Sequence, residues 1–395
     1  MKYAPILDRL AGLGGAKWEL HFAAVEARRA GREVIDLTIG NPDVPTPQAL
    51  VERAAEAMRA GRTEYSTGRG EEGLRAALAA RYAARAGRPV GMDQVLCFPG
   101  TQTALCAVMM GVAEPGTEVL VGDPMYATYE AVIRASGAVP VPVPLRPENG
   151  FRIAAGDIAE RITGRSRAIL LNTPHNPTGA VLTAEDIDAI GAVARAHDLW
   201  IVSDEVYEEL VFDGVAFASP FDRADLAERT VAVSSISKSH AAPGFRSGWA
   251  VGSAAFADRL LPLSETMLFG NQPFIADMTA DAVAAPSAVA AGMRTRFAAR
   301  ARYLDDRLAQ ETRLRVHLPE AGMFALIDVT ATGQGDRDYA LGLLDAGGVA
   351  VMPGSAFGET LKGWVRVALT VDDARFRAAC DRIVAHAAER TGEAP

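Results

Sequence analysis

Apolar positions along this chain alternate between two rhythms. Val95-Leu-Cys-Phe98, Glu118-Val-Leu-Val121, Arg167-Ala-Ile-Leu-Leu171, Trp200-Ile-Val-Ser203, Thr230-Val-Ala-Val233 and Trp249-Ala-Val251 are short contiguous runs. They have the length and β-branched content of strands buried on both faces. Between them the spacing turns helical, as with Leu74, Leu78 and Tyr82 inside 71–85, and in 100–110 and 127–136. Thr46 followed by Pro47 reads as an N-cap opening a helix to about Ala60. Thr183-Ala-Glu-Asp186 resembles a capping box for a helix reaching His197. Residues 139–145 read as an extended, proline-spaced strand.

Such alternation predicts an α/β fold, a mostly parallel sheet with helices on both faces. The texture changes after about residue 285. A long Ala/Arg-rich helix over 287–310 precedes strands near 324–329, 349–352 and 364–369 and a terminal helix, which predicts a smaller α+β domain. No Ser/Gly linker or repeat separates the two. The expected division is an N-terminal arm belonging partly to the small domain (1–44), a large domain (45–285) and a small C-terminal domain (286–395).

Composition narrows the function classes. A chain of 395 residues, 49% hydrophobic and 23% charged, is a folded protein of about two domains. Its net charge of −9 argues against a nucleic-acid or anionic-membrane partner, although a local cationic pocket is compatible with it. The first residues carry no signal-peptide pattern, and the uncharged run 104–113 is too short to span a membrane. Cys97, Cys106 and Cys380 form no CxxC pair, and six dispersed histidines give no metal-ligand spacing. Reduced thiols in a cytoplasmic protein with no metal are the expectation.

Several polar groups follow the strands, where parallel sheets bind ligands. Gly100-Thr101-Gln102 opens a helix, and amides at a helix N-terminus suit a phosphate. Asn172-Thr-Pro-His-Asn-Pro-Thr-Gly179 is a turn stiffened by two prolines, leaving Asn176 projecting. Asp204 and Tyr207 follow one strand, and Tyr126, in Asp123-Pro-Met-Tyr126, follows another. Arg366 sits on the apolar strand Trp364-Val-Arg-Val-Ala-Leu369, where an unpaired guanidinium is costly. Ser235-Ile-Ser237-Lys238 is followed eight residues later by Arg246, which brings an amine, hydroxyls and a cation close together. Each of these alone also fits a purely structural role.

Taken in order from Gly40 to Arg366, the set resembles the fold-type-I, pyridoxal-phosphate (PLP)-dependent aminotransferases of class I/II. The likeness lies in the branch with aspartate- and kynurenine-type enzymes. Pro124-Met-Tyr-Ala-Thr-Tyr-Glu-Ala-Val132 and Glu148-Asn-Gly-Phe-Arg152 are most similar to bacterial arginine–pyruvate transaminases. The resemblance implies that Lys238 forms a Schiff base with PLP and shuttles the substrate α-proton. It implies that Asp204 pairs with the pyridine nitrogen, Asn176 and Tyr207 meet the phenolic oxygen, and Tyr126 stacks on the ring. It further implies that Gly100, Thr101, Gln102, Ser235, Ser237 and Arg246 hold the phosphate, and that Tyr65 reaches the phosphate of a neighbouring subunit. A homodimer with composite sites follows.

Arg366 would fork onto the α-carboxylate of an amino-acid or 2-oxo-acid substrate, with Asn176 and the Gly40 turn beside it. Trp18, after Gly15-Ala-Lys17, either stacks on substrate or anchors the N-terminal arm. Gln102 stands where some dicarboxylate-using relatives carry a basic residue, which disfavours aspartate or glutamate as the main donor. The expected reaction is ping-pong transfer of an amino group from an L-amino acid to pyruvate or 2-oxoglutarate. A PLP-dependent carbon–sulfur lyase on the same fold shares every residue above. A non-enzymatic PLP-sensing regulator domain would need a DNA-binding extension for which the acidic chain offers little room.

Overall fold

The computed structural model describes residues 1–13 and 16–391. Thirteen strands run through them. They are β1 (Ile35–Asp36), β2 (Val95–Phe98), β3 (Glu118–Asp123), β4 (Val139–Pro144), β5 (Ser166–Asn172), β6 (Trp200–Asp204), β7 (Thr230–Ser235), β8 (Gly248–Val251), β9 (Arg315–His317), β10 (Phe324–Asp328), β11 (Val349–Ala350), β12 (Met352–Pro353) and β13 (Trp364–Ala368). Seven form one sheet in the order β2-β8-β7-β6-β5-β3-β4. Its β7-β6-β5-β3-β4 segment is parallel, while β8 runs antiparallel to both neighbours.

Burial on both faces explains the contiguous apolar runs, since every residue of β2, β3, β7 and β8 is buried. The proline-spaced β4 is legible only as an edge. Val139 N–H bonds back to Thr117 and Leu145 N–H to Asp123, so the odd positions donate toward β3. Pro140, Pro142 and Pro144 therefore fall where the missing N–H would face outward.

A four-stranded antiparallel sheet, β12-β13-β10-β9, and the parallel pair β1-β11 make up the rest. Through that pair, the chain before residue 45 joins the C-terminal part of the fold. The helix Ala288–Glu311 packs on β9 and on the terminal helix Asp373–Thr391. Its N-cap is Ser287, whose side chain accepts from Ala290 N–H. The capping box at Thr183 is present, reciprocal with Asp186, ahead of the helix Ala184–Ala196.

Two expectations are corrected. Thr46 is not a cap, because its hydroxyl donates to Ala241 O at 2.5 Å and the helix Gln48–Arg59 starts without a side-chain cap. The strand expected over 349–352 is two short ones, β11 pairing with β1 and β12 with β13. Helices at Ala254–Met267 and Pro273–Val283 are additional. The first continues through Pro262 in its interior, and Thr266 Oγ1 donates to Pro262 O at 2.8 Å. Among the described residues no single helix is long and apolar enough to cross a membrane, and none of the His, Cys, Asp and Glu side chains cluster as a metal site.

Candidate active site

The C-terminal ends of β5, β6 and β7 carry Asn172, Asp204 and Ser235 to one edge of the large sheet. A cavity of about 230 Å³ opens there, lined also by Lys238, Arg246 and Arg366. Parallel register brings these strand ends to the same level, which is why the sheet's carboxyl edge is the place for a site.

One wall is built for an anion. The helix Thr101–Val112 begins at this wall, and its first N–H groups have no partner within the helix. Gly100 has φ +86, and a Cβ there would stand 2.3 Å from Arg246 Nη2. A Cβ at Gly248 would meet Gly100 C at 2.5 Å, so strand and helix start are pressed together where only glycine fits. Arg246, itself left-handed at φ 53, donates from Nη1 to Pro243 O at 2.8 Å. Ser235 accepts from Ser237 N–H, and the buried Thr101 Oγ1 has no hydrogen-bond partner.

Lys238 reaches across the cavity floor and donates to Gly40 O at 2.9 Å. Burial lowers the pKa of its amine to about 8, with Arg366 and Arg246 adding to the shift and Asp204 opposing it. Asp204 Oδ2 accepts from Tyr129 OH at 2.7 Å and Oδ1 from Val206 N–H at 3.1 Å. Burial nonetheless raises its carboxyl to about 6, against those two donors and Lys238. Asn172 braces the neighbourhood, donating to Asp204 O at 3.1 Å and accepting from Asn176 N–H at 2.8 Å. Burial pushes the Tyr207 hydroxyl upward, and a hydrogen bond with Asn176 opposes the shift. Tyr126 lies edge-on to Tyr129, ring centroids 5.5 Å apart.

Arg366 is 1% exposed. It donates from Nη1 to Asn176 Oδ1 at 2.9 Å and from Nη2 to Thr38 O at 2.6 Å, while Nε has no partner. The guanidinium lies between two rings, 3.9 Å from the Phe324 centroid and 4.4 Å from that of Phe357. Its salt-bridge partners include no carboxylate among the described residues, and burial brings its pKa down to about 10. A buried cation without a counter-charge is costly, and a carboxylate arriving from outside would relieve that cost.

The rim is formed by Trp18, Ile39 and Gln102. Gln102 Oε1 accepts from Thr128, and Lys17, beside Trp18, pairs with Glu130 at 3.1 Å. Gly40 is tight, since a Cβ there would meet Phe324 Cζ at 2.3 Å. Gly15 lies outside the described residues. Tyr65 is the exception among the predicted residues. It is 93% exposed, outside this cavity, with its ring against Phe269. Sequence reasoning missed Tyr129, Asn172, Thr38, Phe324 and Phe357. Tyr129 and Asn172 sit inside motifs already singled out, three residues after Tyr126 and four before Asn176. Nothing local marks the two phenylalanines.

Residues 32–383 match the family model described as aminotransferase class I and II. The chain is 42% identical over 394 residues to the arginine–pyruvate transaminase AruH of Pseudomonas aeruginosa, covering 100% of both chains. A Thermus thermophilus aspartate aminotransferase double mutant superimposes with TM-score 0.91 at 30% identity, covering 98% of this chain and 100% of that one. The aspartate aminotransferase from Rhizobium meliloti gives TM-score 0.93 at 26% identity, covering 99% of each. The chain belongs to the class I and II aminotransferases, enzymes that move an amino group between an amino acid and an oxo acid.

Proposed function

We propose that this cavity holds pyridoxal 5'-phosphate on Lys238 and that the enzyme passes an amino group from an L-amino acid to pyruvate by a ping-pong cycle. The observation that carries the reading is the convergence of Lys238, Asp204 and a carboxylate-free Arg366 on one cavity. The residues suit this cofactor. Thr101 Oγ1 is a buried donor with nothing to bind, and Gly100, lacking a Cβ, lets the Arg246 guanidinium lie directly against the helix start. With Ser235 and Ser237, these groups would take the phosphate, while Tyr126 would cover the ring and Asn176 and Tyr207 would meet its phenolic oxygen.

When bound, PLP supplies an electron sink for the substrate α-carbon and a carrier for the amino group. The chain's own groups do the rest. Arg366 orients the substrate by its α-carboxylate, a two-bond match that lysine cannot copy. Lys238 Nζ, neutral above about pH 8, is placed to take the α-proton and return it one atom away. Asp204, ionised above about pH 6, would hold a proton on the ring nitrogen of a bound cofactor. Trp18, Ile39 and Gln102 at the rim carry no charge to pair with a second substrate carboxylate. This supports a donor other than aspartate or glutamate, and the likeness to an arginine–pyruvate transaminase supports arginine.

We further propose a homodimer in which Tyr65 of one subunit completes the phosphate site of the other. Its exposed ring beside the exposed Phe269 supports that reading. The division into 1–44 with 286–395, and 45–285, is supported by the β1-β11 pairing. Unpaired Cys97, Cys106 and Cys380 support a reducing, cytoplasmic setting.

A panel of amino donors against pyruvate and 2-oxoglutarate tests the substrate reading. Arginine with pyruvate should give the highest kcat/KM. A preference for aspartate with 2-oxoglutarate, or continued release of ammonia without any oxo acid, would overturn it.

A further inference from the structure

The end of β3 is fastened to the loop between β12 and β13 at points that the reaction leaves without a role. Thr360 Oγ1 donates to Asp123 O. Met125 N–H donates to Phe357 O at 2.8 Å. The Asp123 carboxylate, 8% exposed as a residue, lies directly against Gly358, where a Cβ would stand 1.7 Å from Oδ1. Its Oδ1 forms no well-directed hydrogen bond. The Glu359 and Thr360 amides lie close enough to oppose the upward shift that burial gives the acid. A carboxylate so enclosed costs stability, and three links on one short segment are more than chain connection requires.

This segment carries chemistry on both sides. Phe357, immediately before Gly358, is one face of the ring pair around Arg366. Tyr126, immediately after Met125, lines the cavity. One clasp therefore sets the Arg366 sandwich, which belongs to the small antiparallel sheet, against a wall of the large parallel one. We propose that Asp123 is a positioning residue for substrate binding: seated on Gly358, it holds Phe357 against Arg366 and so fixes the guanidinium where the substrate α-carboxylate docks. This inference rests on the reading of Arg366 as the carboxylate site.

The test compares Asp123→Asn, Gly358→Ala, the double variant Asp123→Ala/Gly358→Ala and Arg366→Gln in the cofactor-loaded enzyme. Asp123→Asn keeps shape but turns an amide toward the loop N–H groups, and Gly358→Ala drives a methyl into the carboxylate. Each should raise KM for both amino donor and oxo acid by about tenfold, roughly 1.4 kcal/mol of binding, with kcat within about twofold. The absorbance of the bound cofactor should not change. The double variant should recover part of the loss of Gly358→Ala, since the atom that its methyl strikes is gone. If Arg366→Gln leaves KM unchanged, the carboxylate reading itself fails. If Arg366→Gln raises KM but Asp123→Asn and Gly358→Ala leave it at the wild-type value, or lower kcat instead, the clasp is not a positioning device. Should Asp123→Asn not fold, Gly358→Ala decides alone; failure of both to fold marks the contact as structural only and overturns the proposal.

Discussion

At the scale of single residues the site works by withholding partners. Burial and two guanidinium groups bring the Lys238 amine to about 8, against the opposing charge of Asp204. Asp204 is brought toward neutrality from the other side, to about 6, by the same exclusion of water. Between about pH 6 and 8 both groups are charged; above that range Lys238 becomes a free base while Asp204 stays ionised, which separates the proton-transferring group from the fixed charge. The neutral amine is the nucleophile, so covalent loading of PLP onto the cofactor-free chain should speed up as pH rises through about 8. Stopped-flow absorbance of the bound cofactor measures this. Lys238→Ala should show neither that absorbance nor turnover, and a variant transferring amino groups at the wild-type rate would sink the assignment.

At the scale of elements, β6 shows how a strand end divides its work. Asp204 faces the cavity, while Glu205, the next residue, points to the other side of the sheet. There its fully buried carboxylate meets Arg85 at 2.9 Å and accepts from Ser219. Glu208 and Asp222 share the same Arg85, and Arg81 also meets Glu208 at 2.9 Å. Burial raises Glu205 to about 7, Arg85 opposing and Glu208 assisting. An acid whose pKa is higher folded than unfolded contributes stability that is complete at low pH and is lost as pH rises through the folded value. The unfolding free energy should therefore fall by on the order of 2 kcal/mol between about pH 5 and 7, seen as a falling thermal midpoint. Glu205→Gln should flatten that part of the profile, and an unchanged slope in calorimetry would assign the titration elsewhere. The elements themselves were largely legible. Two-sided burial leaves contiguous apolar runs, so β2, β3 and β5–β8 could be read to within a residue or two. Thr46 could not, because a hydroxyl that looks like a cap was taken by Ala241, a partner 195 residues away.

At the scale of the whole molecule, Tyr65 is exposed and lies outside the cavity lined by Lys238. Composite sites give a direct expectation. Lys238→Ala chains, inactive alone, and Tyr65→Ala chains, weak alone, should on mixing form heterodimers in which one site draws Lys238 from one chain and Tyr65 from the other. One site in each heterodimer is intact, so about half the sites of isolated heterodimer, and about a quarter of those in a random equimolar mixture, should recover tight cofactor binding and activity, read by titration and assay alongside sedimentation. A monomer, or no recovery on mixing, would remove the dimer reading. The sequence alone determined the alternating α/β layout and the residue types needed for the chemistry, because strand burial and turn chemistry are local and leave local marks. It also brought out Asn176, Asp204, Lys238 and Arg366 as an ordered set. Only the tertiary structure decided that Arg366 waits between Phe324 and Phe357 without a carboxylate. Only it seated Asp123 on Gly358, 235 residues along the chain. Those facts are made by contacts between distant segments, and charge, burial and missing partners have no meaning until the segments meet.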